Sequence, residues 1–269
     1  MVLVEFIFIR HGYSCSNAAK AIEPEDPNKK YKMYPDPELT TLGITYCRAR
    51  RAATKFVIKR KFGDSYKIGT SSLLRAQQSA FYTLLEADSE AKYSIFPHIA
   101  ESGKCVENTP ESRERQAARL GADAARRLAW DAREDADHSN PDKFWKWINE
   151  LSVAAASNYF HITPAGIYQA VIFTHGHMIK KLLQLDELAA VNNNEIFFAK
   201  INTERPDTPY VEKLKEYPAI SENSMIGCAI KFDSLPPFVG GSRKRRAKKQ
   251  NRKSRQTRKS KYSLKQRRV

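Results

Sequence analysis

The 269-residue chain predicts an α/β protein built on a mostly parallel sheet. Three observations carry that prediction. Val2 to Ile9 is an almost unbroken β-branched and aromatic run, interrupted only by Glu5, which is how a strand covered on both faces of a parallel sheet reads. Gln169 to Thr174 is a second apolar run, and it stops abruptly before the helical pattern of Met178 to Leu183. Between these two runs, strand-like and helix-like stretches alternate.

In chain order, the first strand stops on Arg10-His11-Gly12-Tyr13-Ser14-Cys15-Ser16-Asn17. A cation and an imidazole therefore stand at a strand's carboxyl end, where open α/β sheets place their ligands. One histidine after a strand is more often structural than functional. The second strand changes that balance by ending in His175-Gly176-His177, so that two strands deliver a His-Gly each to one rim.

Ala18 to Pro37, rich in Pro, Lys, Asp and Tyr, predicts a surface loop able to fold over the site. Thr40 is the N-cap expected for a helix over Gly43 to Lys59 that ends near Gly63. Tyr66 to Thr70 reads as a short strand, and Ser71-Ser72 turns the chain into a helix from about Leu74 to Leu85 with Arg75 in its first turn. Tyr93 to Pro97 reads as an edge strand because Pro97 lacks a donor, and Ile99-Ala100-Glu101-Ser102-Gly103 follows it.

Thr109 to Ser157 turns helical, with one segment over Pro110 to Asp137 and an amphipathic one starting at Pro141. Phe144, Trp145, Trp147 and Ile148 on the latter are read as packing on the core ahead of lining a substrate entrance. Glu195 to Ile201 and Ser224 to Phe232 are the last expected strands.

Four separated segments together resemble the histidine phosphatase superfamily, the phosphoglycerate-mutase-like fold. Arg10-His11-Gly12 with Ser14 and Asn17 matches its nucleophile loop, and Leu39-Thr40-Thr41-Leu42-Gly43 the motif that opens its first helix. Ser71 to Ala80 resembles its second arginine motif and Thr174-His175-Gly176 its second histidine; beyond these four, Asn223-Ser224 resembles the start of its late strand. The resemblance runs from the first strand to about Phe232. It implies a three-layer α/β/α sandwich over 1–238; the helical pattern itself is read as a cap insertion at about 102–165, and the basic low-complexity run as a disordered tail over 239–269.

The resemblance also implies roles. His11 is the expected nucleophile, forming a phosphohistidine, and Glu101 the proton donor to the leaving oxygen. Arg10 and Arg75 would hold phosphate oxygens bidentately, and His175 and Asn17 would complete the cradle, with Gly12, Ser14, Gly176 and His177 around it. The expected activity is metal-independent phosphomonoester hydrolysis on a small molecule or a phosphoprotein, with no cofactor.

His175-Gly176-His177 has metal-ligand spacing, but the only further histidine at hand is His11, beside Arg10, which disfavours a bound cation. Mutases of the family carry a Glu-Arg-His-Tyr-Gly stretch around the acid; here Glu101 is followed by Ser102-Gly103-Lys104, and Tyr13 and Ser16 also depart from the mutase loop. Phosphatase is favoured over mutase on those departures.

The formal net charge of +16 is unevenly placed. Of 46 lysines and arginines, 15 lie between Gly241 and Val269 with no acidic residue among them, which leaves the first 240 residues close to neutral. Such a low-complexity run builds no core, and residues 243–268 could neutralise nucleic-acid phosphates or contact an anionic surface. A scaffold whose tail does the binding is the alternative to an enzyme. The Gly-Gly-Ser-Arg-Lys opening also resembles tails on proteins of large DNA viruses. Cys15, Cys47, Cys105 and Cys228 show neither paired nor metal-type spacing, which predicts free thiols in a reducing cytoplasmic or nuclear compartment. No apolar run is long enough to span a membrane.

Overall fold

Strand β1 (Leu3–Arg10) is apolar without alternation because both of its faces are covered: Val4, Phe6 and Phe8 enter one core, Ile7 and Ile9 the other. Its exception, Glu5, pairs with Lys200 at 3.2 Å and accepts a hydrogen bond from Gln169 Nε2 at 2.8 Å. The computed structural model describes residues 2–22, 24–25, 27–103, 105–130, 139–186, 188–220, 224–231 and 234–236. The basic tail and Asn223 lie outside the described residues.

The compact unit Met1–Pro236 holds one eight-stranded sheet. Its further strands are β2 (Lys67–Thr70), β3 (Tyr93–Ile95), β4 (Leu128–Ala129), β5 (His161–Ile162), β6 (Tyr168–Thr174), β7 (Ile196–Asn202) and β8 (Tyr210–Lys215). The order is β4-β3-β2-β6-β1-β7-β8, with β5 paired to β6. Neighbours from β4 to β1 run parallel, whereas β7, β8 and β5 join antiparallel.

Helices cover both faces. Helix α1 (Cys15–Ile22) follows β1, and α2 (Thr41–Phe62), α3 (Leu74–Ala80, continued by a wider turn over Phe81–Leu85), α4 (Arg113–Leu120) and α5 (Ala122–Arg127) share one layer. That layer buries Ile58, Phe62, Leu74, Leu85, Leu120 and Ala124 against Ile7, Ile9, Val171 and Phe173. Opposite it, α6 (Pro141–Glu150), α7 (Val153–Ala156) and α8 (Gly176–Leu183) pack Phe144, Trp145, Ile148, Ala156, Met178 and Ile179 against Phe6, Phe8 and Ile172. The result is a three-layer α/β/α sandwich. The helices of 102–165 divide between the two layers, and the aromatic residues of α6 belong to the core.

Helix α2 starts as its cap predicts, Thr40 Oγ1 accepting from Gly43 N at 2.9 Å, and stops at Gly63, whose φ of 69° suits glycine. Gly43 itself answers to a close approach. A Cβ there would lie 2.1 Å from the carbonyl oxygen of Tyr13.

Four expectations are corrected. Ala18 to Pro37 is not loop throughout: α1 occupies its first part because Ala18 and Ala19 have a buried face to fill. β3 is not an edge, since β4 pairs on its outer side, and Pro97 falls beyond its end. Ser224 to Phe232 forms no strand among its described residues; Met225, Cys228 and Ile230 pack instead on Cys15 and Tyr34, and the sheet ends in the β7–β8 pair. Cys15 and Cys228 are joined by a disulfide across 213 residues of sequence, a distance at which spacing carries no signal. Only Cys47 and Cys105 are free thiols, so the expectation of four is corrected. No described helix is long and apolar enough to cross a membrane.

Candidate active site

Parallel register sets the site. Arg10 lies opposite Thr174 and Thr70 opposite Phe173, so β1, β6 and β2 leave the sheet at one level. The chain beyond each end is pinned to its neighbour: His11 N donates to Thr174 O at 2.9 Å, Ser71 N to Phe173 O at 3.0 Å and Phe96 N to Thr70 O at 2.8 Å. Thr174 Oγ1 donates to Ile99 O at 2.6 Å and so tethers the loop that carries Glu101. Arg10, His11, Arg75, Glu101 and His175, predicted from separate motifs, reach one rim.

The two histidine rings stand 5.1 Å apart, centre to centre. Both are buried. His11 Nδ1 is 2.7 Å from the carbonyl oxygen of Gly12, which can only accept, so the proton sits on Nδ1 and Nε2 carries the lone pair. Burial, then the charges of Arg75 and Arg10, hold His11 well below the usual imidazole range, so the ring is neutral at pH 7. His175 is depressed likewise, by burial and then by Arg75.

The hydrogen bonding of His175 is the reverse of that of His11. Its Nε2 is 2.7 Å from Ser71 Oγ, and Leu73 N donates to that same oxygen at 3.3 Å. The hydroxyl hydrogen is then free to go to Nε2, which places the ring's proton on Nδ1. His175 Nδ1 and Arg10 Nε are buried polar atoms without a hydrogen-bond partner among the described residues.

Each arginine is held by part of its fork. Arg10 Nη1 donates to Val191 O at 2.5 Å. Arg75 Nη1 donates to Glu107 O at 2.7 Å and Nη2 to Asn108 Oδ1 at 2.9 Å, while Asn108 Nδ2 donates to Ser102 O at 3.0 Å. Asn108 thereby fixes Arg75 to the loop of Glu101. The Glu101 carboxylate accepts from Ser102 N at 2.9 Å, lies 3.9 Å from His177 Nδ1, and is close enough to Arg10 to favour that cation. Glu107 is pushed up by burial, against the pull of Arg75.

Of the residues expected around a phosphate, His177 is exposed on the rim and Gly176 opens α8 against Arg10. Gly12 N is already given to Ser79 Oγ at 2.8 Å. Ser14 and Asn17 turn toward each other, Ser14 Oγ donating to Asn17 Oδ1 at 3.0 Å, so the serine hydroxyl serves the start of α1.

Three residues that hold the site together were not anticipated. Asn193 Nδ2 donates to His11 O at 2.9 Å and Gly12 O at 3.0 Å, clamping the His11-Gly12 turn, and Asn194 N donates to Arg10 O at 3.0 Å. β7 enters antiparallel, which puts its beginning at the same rim as the carboxyl ends of β1 and β6. The signal was the asparagine run Asn192-Asn193-Asn194 ahead of an apolar strand. Asn108 had no such signal.

Among the described residues, the group of metal-type donors within mutual reach is Cys15, Glu38 and Cys228. Its sulfurs are bonded to each other, and Glu38 is paired with Arg119 and accepts from Tyr34 Oη and Ala229 N. This group is a structural clasp.

No protein-family model matches the chain, and no curated protein matches it. Among solved structures it is similar to the ecdysone phosphate phosphatase of Bombix mori in complex with tungstate, at 16% identity and a TM-score of 0.46 over 83% of this chain and 96% of that one. A mycobacterial glucosyl-3-phosphoglycerate phosphatase aligns at 18% identity and 0.42 over 77% and 95%. Phosphoglycerate mutase from Bacillus anthracis aligns at 15% and 0.42 over 79% and 92%. These neighbours are phosphatases and a mutase of the class that the sequence motifs resemble; likeness at this level leaves substrate and residue roles to the geometry of the site itself.

Proposed function

We propose that the protein is a phosphomonoester hydrolase working through a phosphohistidine on His11 Nε2. The observation that carries this reading is the state of His11: a buried neutral ring, its Nδ1 proton committed to the Gly12 carbonyl and its Nε2 lone pair left in the field of Arg10 and Arg75. Phosphoryl transfer is mainly a matter of positioning and charge stabilisation. Two guanidinium groups, the Nδ1–H of His175 and the Nε–H of Arg10 supply donors that a phosphate would satisfy.

In the first step the His11 Nε2 lone pair attacks phosphorus as the bond to the ester oxygen breaks, and protonated Glu101 gives its proton to that oxygen. In the second, water attacks phosphorus, the P–N bond breaks, and the Glu101 carboxylate takes the proton that water loses. Free phosphate leaves and both residues return to their starting states. Splitting one hard displacement into two easier ones is what the nucleophile contributes. Hydrolysis is favoured over mutase chemistry by Ser102-Gly103-Lys104 after Glu101.

The test is a panel of phosphomonoesters assayed with EDTA, combined with alkaline-quench detection of phosphate on histidine. Turnover with a labelled, acid-labile His11 adduct is expected; turnover without the adduct would remove the covalent mechanism. Glu101→Gln should slow alkyl esters far more than activated aryl esters, because only the poor leaving group needs the proton. Equal losses for both would take the acid role from Glu101.

A further inference from the structure

The disulfide between Cys15 and Cys228 is placed where it can act on the candidate site. Cys15 is the first residue of α1 and lies four residues beyond His11. It is fully buried, whereas Cys228 is partly exposed and flanked by exposed Gly227 and Ala229. Every strand after β1 falls between the two cysteines, so the bond ties the far end of the folded unit back to the turn that follows β1.

What it ties down is the segment 224–231, which forms no helix or strand. Three hydrogen bonds seat this strap: Thr41 N donates to Ile226 O at 2.8 Å, Ala229 N to Glu38 Oε1 at 2.6 Å and Ile230 N to Tyr34 Oη at 3.0 Å. Gly227 presses on the same seat, since a Cβ there would lie 2.5 Å from Thr41 Oγ1 at a φ of 88°. The apolar cluster beneath is small. Cys15, Ala19, Tyr34 and Leu235 are its buried members, apart from the two cores that face the sheet. A segment with so little buried apolar surface has low local stability, and a covalent bond that closes a long loop is the strongest of its ties.

Both ends of the seat lead to His11. At one end, Cys15 N donates to Glu38 O at 2.8 Å, and α1 carries Asn17, whose Oδ1 accepts from Ser14 N at 3.2 Å and from Asn193 Nδ2 at 3.4 Å. Asn193 in turn holds the carbonyls of His11 and Gly12. At the other end, Thr40 N donates to Tyr13 O at 3.0 Å, and the neighbouring Thr41 carries the strap. A segment seated on Thr41 and bonded to Cys15 therefore braces the turn after β1 from both sides.

We infer that the Cys15–Cys228 disulfide is a redox-sensitive latch: oxidised, it holds 224–231 against α1 and the start of α2 and keeps the His11-Gly12 turn in order; reduced, it frees the strap and slows turnover. The reductant is a dithiol. One of its thiolates attacks the sulfur of Cys228, the partly exposed partner; the S–S bond breaks, and Cys15 leaves as a thiolate that takes up a proton. The second thiol, deprotonated, attacks the dithiol sulfur of this mixed disulfide, which releases Cys228 as a thiol and closes the dithiol into its own disulfide. Two electrons and two protons pass to the protein, and a disulfide oxidant reverses the exchange. Only the effect on turnover rests on the phosphatase reading.

The experiment compares the full chain before and after treatment with dithiothreitol, and again after reoxidation with oxidised glutathione. Alkylation of the denatured protein should find two thiols before treatment, those of Cys47 and Cys105, and four after it. On reduction, amide exchange should quicken by about tenfold or more at Ala229 and Ile230 and also at Gly12 and Cys15, while the amides of β6 stay protected. The kcat toward a phosphomonoester should fall about threefold or more, the scale on which coupled contacts act, and should return on reoxidation. Cys228→Ser should match the reduced chain with or without dithiothreitol, which assigns the effect to this bond and not to Cys47 or Cys105. Four thiols before treatment, exchange at Gly12 that ignores the reductant, an unchanged kcat, or loss of protection across β6 each overturns the inference. If no ester is hydrolysed in either state, the phosphatase reading fails separately, and exchange decides the latch: quickening that reaches Gly12 but spares β6 upholds it, and any other pattern overturns it.

Discussion

Two turns of this molecule start alike and end in opposite chemistry. In each, a buried strand stops on a histidine and a glycine, and the next helix begins within a few residues. Both rings are buried, both are kept neutral by burial and by Arg75, and they lie 5.1 Å apart. What separates them is one hydrogen bond. His11 gives its Nδ1 proton to a carbonyl and keeps a lone pair; His175 receives a hydroxyl hydrogen at Nε2 and keeps an N–H. An identical side chain in a similar turn presents a lone pair in one place and an N–H in the other, according to the single atom its ring leans on, and these are the nucleophile and donor of the proposed mechanism.

The largest test of that contrast is to remove each ring. His11→Ala should lower kcat by several orders of magnitude, as loss of a nucleophile does, and should abolish the covalent adduct. His175→Ala should cost about 10²- to 10³-fold, the usual effect of one donor to a developing charge, and should still form adduct slowly. Rapid-quench trapping of both variants separates the two roles. If His175→Ala lost the adduct as completely as His11→Ala, the donor role assigned to His175 would be wrong.

A subtler perturbation changes the tautomer and leaves the ring. Ser71→Ala removes the hydroxyl that fixes Nε2 and leaves a buried nitrogen unsatisfied, at a cost of about 1–3 kcal/mol; a fall in kcat of about tenfold is expected, with His11 phosphorylation retained. The same neutrality has a signature in stability. Because both rings titrate below 6.5 when folded and near it when unfolded, the unfolded chain takes up protons first as pH falls. Stability should therefore be level above pH 6.5 as far as these groups are concerned. Below that it should decline by up to about 1.4 kcal/mol per pH unit for each histidine. Urea titrations between pH 5 and 7 should show a shallower decline in His175→Ala than in the parent chain; equal slopes would mean that the buried ring is not held neutral.

How far the sequence led can be judged residue by residue. Arg10, His11 and His175 were legible at the ends of β1 and β6, Arg75 at the strand-to-helix junction after β2, and Glu101 through the order of motifs in the family resemblance; the parallel register carries those strand ends to one rim. Thr40 and Gly63 were legible because capping is local. Asn193 was missed because an antiparallel strand brings its beginning to that rim and antiparallel pairing leaves no mark within the strand itself. Cys15 and Cys228 were missed for a related reason: their meeting depends on Met225, Cys228 and Ile230 packing over α1, where the apolar pattern reads equally well as a strand. What depends on one segment could be read; what depends on two distant segments could not.

The smallest expected effect concerns the glycines that follow the two histidines. A Cβ on Gly12 would stand 2.8 Å from Cys47 Sγ and 3.4 Å from the carbonyl oxygen of Gly43, inside the packing between the turn after β1 and α2. A Cβ on Gly176 would meet the Arg10 side chain at 3.4 Å or more, and a long side chain can shift where a helix cannot. Gly12→Ala should therefore cost about 1–3 kcal/mol, the usual range for overpacking. Gly176→Ala should change stability by no more than about 0.5 kcal/mol and act mainly on Arg10, through a modest rise in KM. Denaturant midpoints of both variants check this. Cys47→Ala in the Gly12→Ala background should recover part of the loss, because the two substitutions share one contact and must couple. Strict additivity would mean that the glycine is required for the backbone of the turn, and not for the sulfur packed beneath it.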